Sequence, residues 1–151
     1  MQMQIQREQK TEEQKVYPFE KEAFASAKHA NGNEQDLVVA LRKSDAFVPE
    51  LSLVAEVNGK LVGYLLFSEA RVGEDMVLVL APLAVKPNFQ RQGVGSTLII
   101  EGHRLAKALN YSHAFVLGSE DYYPRFGYRP AENLELRCHK DGQVKILWCF
   151  L

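Results

Sequence analysis

Two apolar-rich runs, Leu51–Val57 and Leu61–Phe67, meet at Asn58-Gly59. An Asn-Gly pair accepts the two positive φ angles of a type I′ turn, whose twist matches that of the strands it joins. The pair commits the middle of the chain to an antiparallel hairpin, so the rest must be arranged around a sheet. Gly73-Glu74-Asp75 turns the chain into a third strand, Met76–Val85. A helix is predicted from Gly93 to Leu109, closed by Asn110, a residue that tolerates the left-handed position after a helix. Ser112–Leu117 follows, with the continuous apolar run Ala114-Phe115-Val116-Leu117 of a buried strand. Strand, helix and strand in this order make a parallel crossover of right-handed sense.

The flanks extend the pattern. Met3 and Ile5 alternate with glutamines in Met1–Arg7, which indicates a first strand. Thr11-Glu12-Glu13-Gln14 reads as a capping box ahead of a helix carrying Val16, Phe19, Ala23, Phe24 and Ala27, with Pro18 near its start or dividing it. Asn31-Gly32-Asn33 is a turn, and Asn33 caps a second helix with Leu37, Val38 and Leu41. After a short helical segment at Asp121–Phe126, strands over Leu134–His139 and Val144–Phe150, joined at Asp141-Gly142, close the chain. The predicted order is β-α-α-β-β-β-α-β-α-β-β, an α/β fold with a mixed sheet in one domain spanning residues 1–151.

Composition excludes several classes of function. With 46 % hydrophobic and 25 % charged residues and a net charge of −1, the chain matches an average globular domain. Nothing in its charge favours nucleic acid or an anionic membrane as a partner. No apolar run approaches the ~20 residues of a membrane span, and Met1–Lys10 lacks the apolar core of a signal peptide, so the expected location is cytoplasmic. Cys138 and Cys149 are too few for a disulfide framework. Neither they nor His29, His103, His113 and His139 show metal-ligand spacing, so no metal is assigned.

The chemistry points to the junction after Met76–Val85. A strand runs out, a short basic loop follows, and a helix begins. Amide groups at a helix start have no internal partner, and with the positive end of the helix dipole they form an anion site. Gly93 and Gly95 let the backbone approach a phosphate closely, and Arg91 adds charge. A dinucleotide fingerprint requires a third glycine where Leu98 stands, and a P-loop requires Gly-Lys-Ser/Thr, so both fail. What remains is Gln90-Arg91-Gln92-Gly93-Val94-Gly95, followed by Ser96, which fits Q/R-x-x-G-x-G/A.

Two further features bear on the ligand. Pro82 removes a ladder hydrogen bond within a strand, so it belongs at an edge or a bulge. A bulge there would splay Met76–Val85 from its parallel neighbour and free backbone groups of Leu83 and Val85 for a ligand that pairs as a pseudo-strand. Pantetheine has two amides and, in coenzyme A, ends in a pyrophosphate. Tyr123, four residues before Gly127 and beyond the Ser112–Leu117 strand, can protonate a departing thiolate. An ordinary phenol pKa of about 10 keeps it protonated at neutral pH. Tyr122, Phe126 and Tyr128 read as core aromatics, Trp148 as core or interface, and Lys86 and Arg125 as solvent-facing, with a place near the phosphates as the alternative.

Taken together, Ala81-Pro82-Leu83-Ala84-Val85, Gln90–Gly95 and Tyr122–Tyr128 resemble the GNAT superfamily of acyl-CoA N-acyltransferases, in particular a branch of small bacterial predicted N-acetyltransferases. The resemblance covers nearly the whole chain. It implies a fold with two splayed parallel central strands and acetyl-CoA as co-substrate. Leu83, Ala84 and Val85 would pair with pantetheine, Gln90, Arg91, Gln92, Gly93, Val94, Gly95 and Ser96 would hold the pyrophosphate, and Tyr123 would be the general acid. It implies direct transfer, in a ternary complex, to the amine of a small molecule or a protein. Gly118-Ser119-Glu120-Asp121 stands where many members carry an Asn and an Ala. Met76–Val85 holds no carboxylate where some members keep a base, which leaves Glu69, Glu120 or a water chain as candidates. A non-catalytic acyl-CoA sensor and an interaction domain with a degenerate loop are the competing readings. Exposed strand edges at the C-terminus admit a homodimer.

Overall fold

The computed structural model describes residues 2–24, 34–119, 121–130 and 144–151. The sheet starts with β1 (Met3–Arg7), β2 (Phe47–Val57), β3 (Lys60–Val72) and β4 (Asp75–Val85), and continues with β5 (His113–Ser119), β6 (Arg129–Pro130) and β7 (Val144–Phe150). Its seven strands lie in the order β1-β2-β3-β4-β5-β7-β6. Neighbours run antiparallel except β4 and β5, which run parallel. Helices α1 (Glu13–Phe24) and α2 (Glu34–Arg42) precede β2, and α3 (Val94–Ala108) makes the crossover from β4 to β5.

The hairpin forms at Asn58-Gly59, with both residues at positive φ (53° and 76°) and Val57 opposite Lys60. Its strands run longer than their apolar cores predict, because pairing continues past the buried stretch to Phe47 and Val72. Pro18 lies inside α1 without dividing it. The predicted capping box at Thr11 is displaced upstream. A single turn of 3-10 helix, Lys10–Glu12, precedes α1, and the Gln9 amide donates to the Glu12 carboxylate at 2.8 Å. The segment Asp121–Phe126, expected as a helix, forms only a 3-10 turn at Tyr123–Phe126. The two-residue β6 was not anticipated. The predicted Asn31-Gly32-Asn33 turn, the strand over Leu134–His139 with Cys138, the Asp141-Gly142 turn, His29 and Glu120 lie outside the described residues.

Because strand side chains alternate, the sheet buries two cores. On one face, Leu53, Ala55, Leu65, Phe67, Leu78, Leu80, Ala114, Val116 and Leu147 pack beneath Val94, Leu98, Ile99 and Ala106 of α3. On the other, Val54, Tyr64, Leu66 and Ala84 meet Val16, Phe19 and Ala23 of α1 and Val38 of α2. A polar cluster ties the helical layer to the sheet. Arg42 at the end of α2 bonds the Glu8 carboxylate, Ser52 donates to the same carboxylate at 2.9 Å, and the Ser52 and Tyr64 hydroxyls share a bond of 2.7 Å. Burial and the nearby Glu8 carboxylate push the Tyr64 phenol well above its ordinary range.

Two glycines set how closely α3 approaches. A Cβ on Gly63 of β3 would lie 2.7 Å from Val94 Cγ1, and one on Gly102 would lie 2.7 Å from Phe67 Cε2. The helix closes with two bonds that satisfy its last carbonyls: Asn110 N–H to Lys107 O at 3.0 Å and Tyr111 N–H to Ala106 O at 3.1 Å. This is a Schellman arrangement with Asn110 in the left-handed position at φ 70°. We expect Gly63→Ala to lower unfolding stability by about 1–3 kcal/mol in urea titrations, the usual effect of overpacking. Adding Val94→Ala should recover part of that loss, and additive losses in the double variant would contradict the close approach.

Candidate active site at the open end of the parallel pair

The site begins where one strand pair ends. β4 pairs with β5 only through Leu78–Ala114, Val79–Phe115 and Leu80–Val116. Beyond Leu80, β4 stays with β3, where Leu83, Ala84 and Val85 face Leu65, Tyr64 and Gly63. β5 stays with β7 as far as Ser119 opposite Val144. Pro82 has no N–H to offer β5, and the β3–β4 register shifts across the same stretch, between Leu65 and Phe67. The Ala81–Pro82 peptide bond is cis. The two parallel strands thus part at the proline, as the sequence predicts.

Orientation past the bulge follows from one bond. Lys86 N–H donates to Val62 O of β3 at 2.8 Å. Alternate residues of a strand direct their polar groups to opposite neighbours, so Leu83 and Val85 direct theirs into the gap left by β5. The Val85 carbonyl is already met there by the Gln90 side-chain amide at 3.2 Å. Among the described residues, no strand pairs with the outward-facing groups of Leu83 or the N–H of Val85.

The chain then runs through a 3-10 turn, Pro87–Phe89, into the start of α3. Arg91 and Gly93 both take positive φ, 62° and 89°. Gly93 is the N-terminal cap residue and brings no side chain to the free amides of Val94, Gly95 and Ser96. Its own carbonyl is taken by Thr97, through both the amide (3.0 Å) and the hydroxyl (2.7 Å). The donors at this helix end therefore face outward, uncapped.

They face a cleft of about 540 Å³ lined by Leu83, Val85, Phe89, Gln90, Arg91, Gly93, Val94, Gly95, Ser96, Tyr122 and Arg125. Eight of the ten residues predicted to bind cofactor are on this wall. Ala84 is not, because it points to the opposite face and is buried against α1 and Tyr64. Gln92 turns back to bond the Asn88 carbonyl at 3.0 Å. Sequence reasoning missed Phe89; Tyr122, read as core, is half-buried against the core and also lines the cleft, and Arg125, read as solvent-facing with a place near the phosphates as the alternative, is an exposed residue of its lining. Only the fold brings the turn after β5 against the start of α3.

Tyr123 belongs to that turn. Its ring packs edge-on against Tyr122 and Tyr128, with centroids 5.1 and 5.7 Å apart. Burial, with a smaller contribution from Tyr122, raises its phenol pKa above the usual range, so it is fully protonated at neutral pH. It is not among the cleft-lining residues. Glu69, one candidate base, lies near the closed end of the V, in register with Leu78, and accepts the Tyr111 hydroxyl at 2.6 Å. Burial first, then that bond, pushes the Tyr111 phenol to about 12. The Glu69 carboxylate is not brought to the cleft.

The turn is anchored from beneath. His103 of α3 shares a 2.9 Å bond with the Tyr128 hydroxyl and packs on the rings of Phe67 and Tyr128. Cys149 is a buried free thiol whose pKa burial raises, so it is a poor nucleophile.

The family model of the acetyltransferase (GNAT) family matches residues 6–128. The chain belongs to that family. It is 38 % identical over 125 residues to the uncharacterized N-acetyltransferase YjhQ of Escherichia coli K12, covering 80 % of this chain and 66 % of that protein. It is 38 % identical over 112 residues to the uncharacterized N-acetyltransferase YhbS of the same strain, covering 72 % of this chain and 66 % of that one. The chain thus spans just under two thirds of these curated relatives. Among solved structures, the YhbS complex with CoA superposes with a TM-score of 0.85 at 28 % identity, covering 99 % of this chain and 82 % of that one. A GNAT family acetyltransferase of Brucella melitensis in complex with acetyl-CoA superposes with a TM-score of 0.80 at 29 % identity, covering 95 % of each chain.

Burial, and secondarily the charge of Lys107, pulls the His103 pKa down to about 4 from an ordinary 6.5. The unfolded chain then binds the proton more readily than the folded one. Stability should fall as pH drops from about 6.5 towards 4 and be fully present above that window. Urea midpoints measured across this range should show the loss, and His103→Gln should flatten it. An unchanged slope in the variant would assign the loss to other groups.

Proposed function

We propose that this protein is an acetyl-CoA-dependent N-acetyltransferase that passes the acetyl group directly to an amine in a ternary complex. The observation that carries the reading is the cleft at the start of α3, where uncapped amides, a positive-φ glycine and two arginines lie beside the gap between β4 and β5. Amides and cations of this kind hold a pyrophosphate. The outward backbone groups of Leu83 and the Val85 N–H pair with the amides of pantetheine as a missing strand would. The complexes of similar proteins with CoA and acetyl-CoA support the same class of ligand.

With pantetheine laid along β4 from the start of α3, the thioester lies near Leu83, where the two strands part, and much of the rate comes from holding the amine against it. The amine nitrogen attacks the thioester carbon, and the developing oxyanion is met by a backbone N–H near Leu83. As the C–S bond breaks, the thiolate takes the Tyr123 phenolic proton. The surplus proton on nitrogen leaves through water. The acceptor is the amine of a small molecule or of a protein.

Two measurements test this. CoA at ~100 times its dissociation constant should stabilise the protein by about 2.7 kcal/mol. Gly95→Asp should abolish that gain, since its side chain would meet Tyr122 and place a charge against the phosphate. Retained affinity in Gly95→Asp would remove the cleft from the reading. With an amine panel and thiol detection, Tyr123→Phe should cut turnover by about 10²-fold or more while CoA affinity changes little. Equal turnover would exclude Tyr123 as the acid, and CoA binding without thiol release for any amine would favour a sensor.

A further inference from the structure

The turn after β5 places one phenol where it does more than pack. The Tyr122 ring is held edge-on by Tyr123 at 5.1 Å and by Phe126 at 5.3 Å, and the Arg125 guanidinium lies 5.7 Å from its centroid. None of this packing uses the hydroxyl, which reaches across the cleft to the first turn of α3. A Cβ built on Gly95 would lie only 2.7 Å from the Tyr122 oxygen. Among the described residues, that oxygen makes no hydrogen bond. Glycine at position 95 is what admits the phenol.

The free groups at the start of α3 are N–H donors, Arg91 and Arg125 are cations, and among the described residues no carboxylate lines the cleft. A hydroxyl held beside free N–H donors and two cations is placed to donate to an anion that those groups attract. We propose that the Tyr122 hydroxyl donates to the pyrophosphate of CoA. Arg125, held on the face of the same ring, supplies the second side-chain contact to that pyrophosphate. The turn after β5 is thus a phosphate-binding wall opposite the glycine loop. Because Tyr122 also packs against Tyr123, pyrophosphate and acid are held by one aromatic cluster. The inference rests on the CoA reading given above.

Calorimetric titration of the full chain with CoA, dephospho-CoA and pantetheine separates the two. Tyr122→Phe keeps the ring and removes only the hydroxyl. It should weaken CoA and dephospho-CoA alike by about tenfold, as expected for a hydrogen bond to a charged group, and leave pantetheine, which has no phosphate, unaffected. Arg125→Gln should weaken the two nucleotides by a similar factor. Failure of the unaltered protein to bind CoA would defeat the functional reading itself. CoA affinity in Tyr122→Phe within twofold of the unaltered protein, when that protein does bind, would overturn the inference alone. So would an equal loss for pantetheine, which marks a structural role, or a loss confined to CoA that spares dephospho-CoA.

Discussion

Everything at the functional end of this molecule depends on β4 having two neighbours through Leu78–Leu80 and one beyond Pro82. A buried strand that loses a partner must satisfy its backbone otherwise. Leu83 and Val85 meet that condition by facing an open gap, with one Val85 carbonyl bond supplied by Gln90. The same departure aims the chain at the Pro87–Phe89 turn, so that α3 starts beside the gap. Ligand clefts in sheets with parallel strands form outside the carboxyl ends of those strands. Here the single parallel pair suffices.

The helix matters as much as the gap, because its uncapped end must stay at the mouth. α3 is pinned along its length by different means. Near its start, Gly63 admits Val94 and Leu98 against the sheet, and in its middle Gly102 admits Phe67. At its far end the Asn110 closure and the Tyr111–Glu69 bond fix the return into β5. His103 reaches from the same helix to Tyr128 and so holds the aromatic turn that forms the opposite wall. Helix, turn and strand gap are therefore tied together by packing and hydrogen bonds.

Much of this was legible in the linear chain where local rules decide. Asn58-Gly59 dictates its own turn, the apolar runs dictate their strands, and Asn110 closes α3. The order strand, Gln90–Gly95 loop, helix is enough to indicate an uncapped helix end beside the strand, and Pro82 is enough to indicate where two strands part. Legibility fails where a residue's role depends on a distant neighbour. Ala84 sits between two cleft residues yet belongs to the opposite face, since alternation sends it towards α1. Gln92 lies within the motif yet bonds its own loop. Glu69 is a carboxylate of the right kind, but Tyr111, 42 positions away, claims it outside the cleft lining.

What the sequence by itself determined is the family pattern: a mixed sheet, one parallel crossover, and a glycine-containing loop at the start of the crossover helix. These follow from turn chemistry, hydrophobic period and the geometry of helix ends, all of which act over a few residues. Only the tertiary structure decided which side chains share the cleft. Tyr122 and Gly95 are 27 positions apart in the chain and have no local reason to meet. The crossover brings the end of β5 back beside the start of α3, and an absent Cβ lets a phenol oxygen fit against the helix. No periodicity or motif records that kind of closeness, because it arises when the long-range path of the backbone is closed by packing.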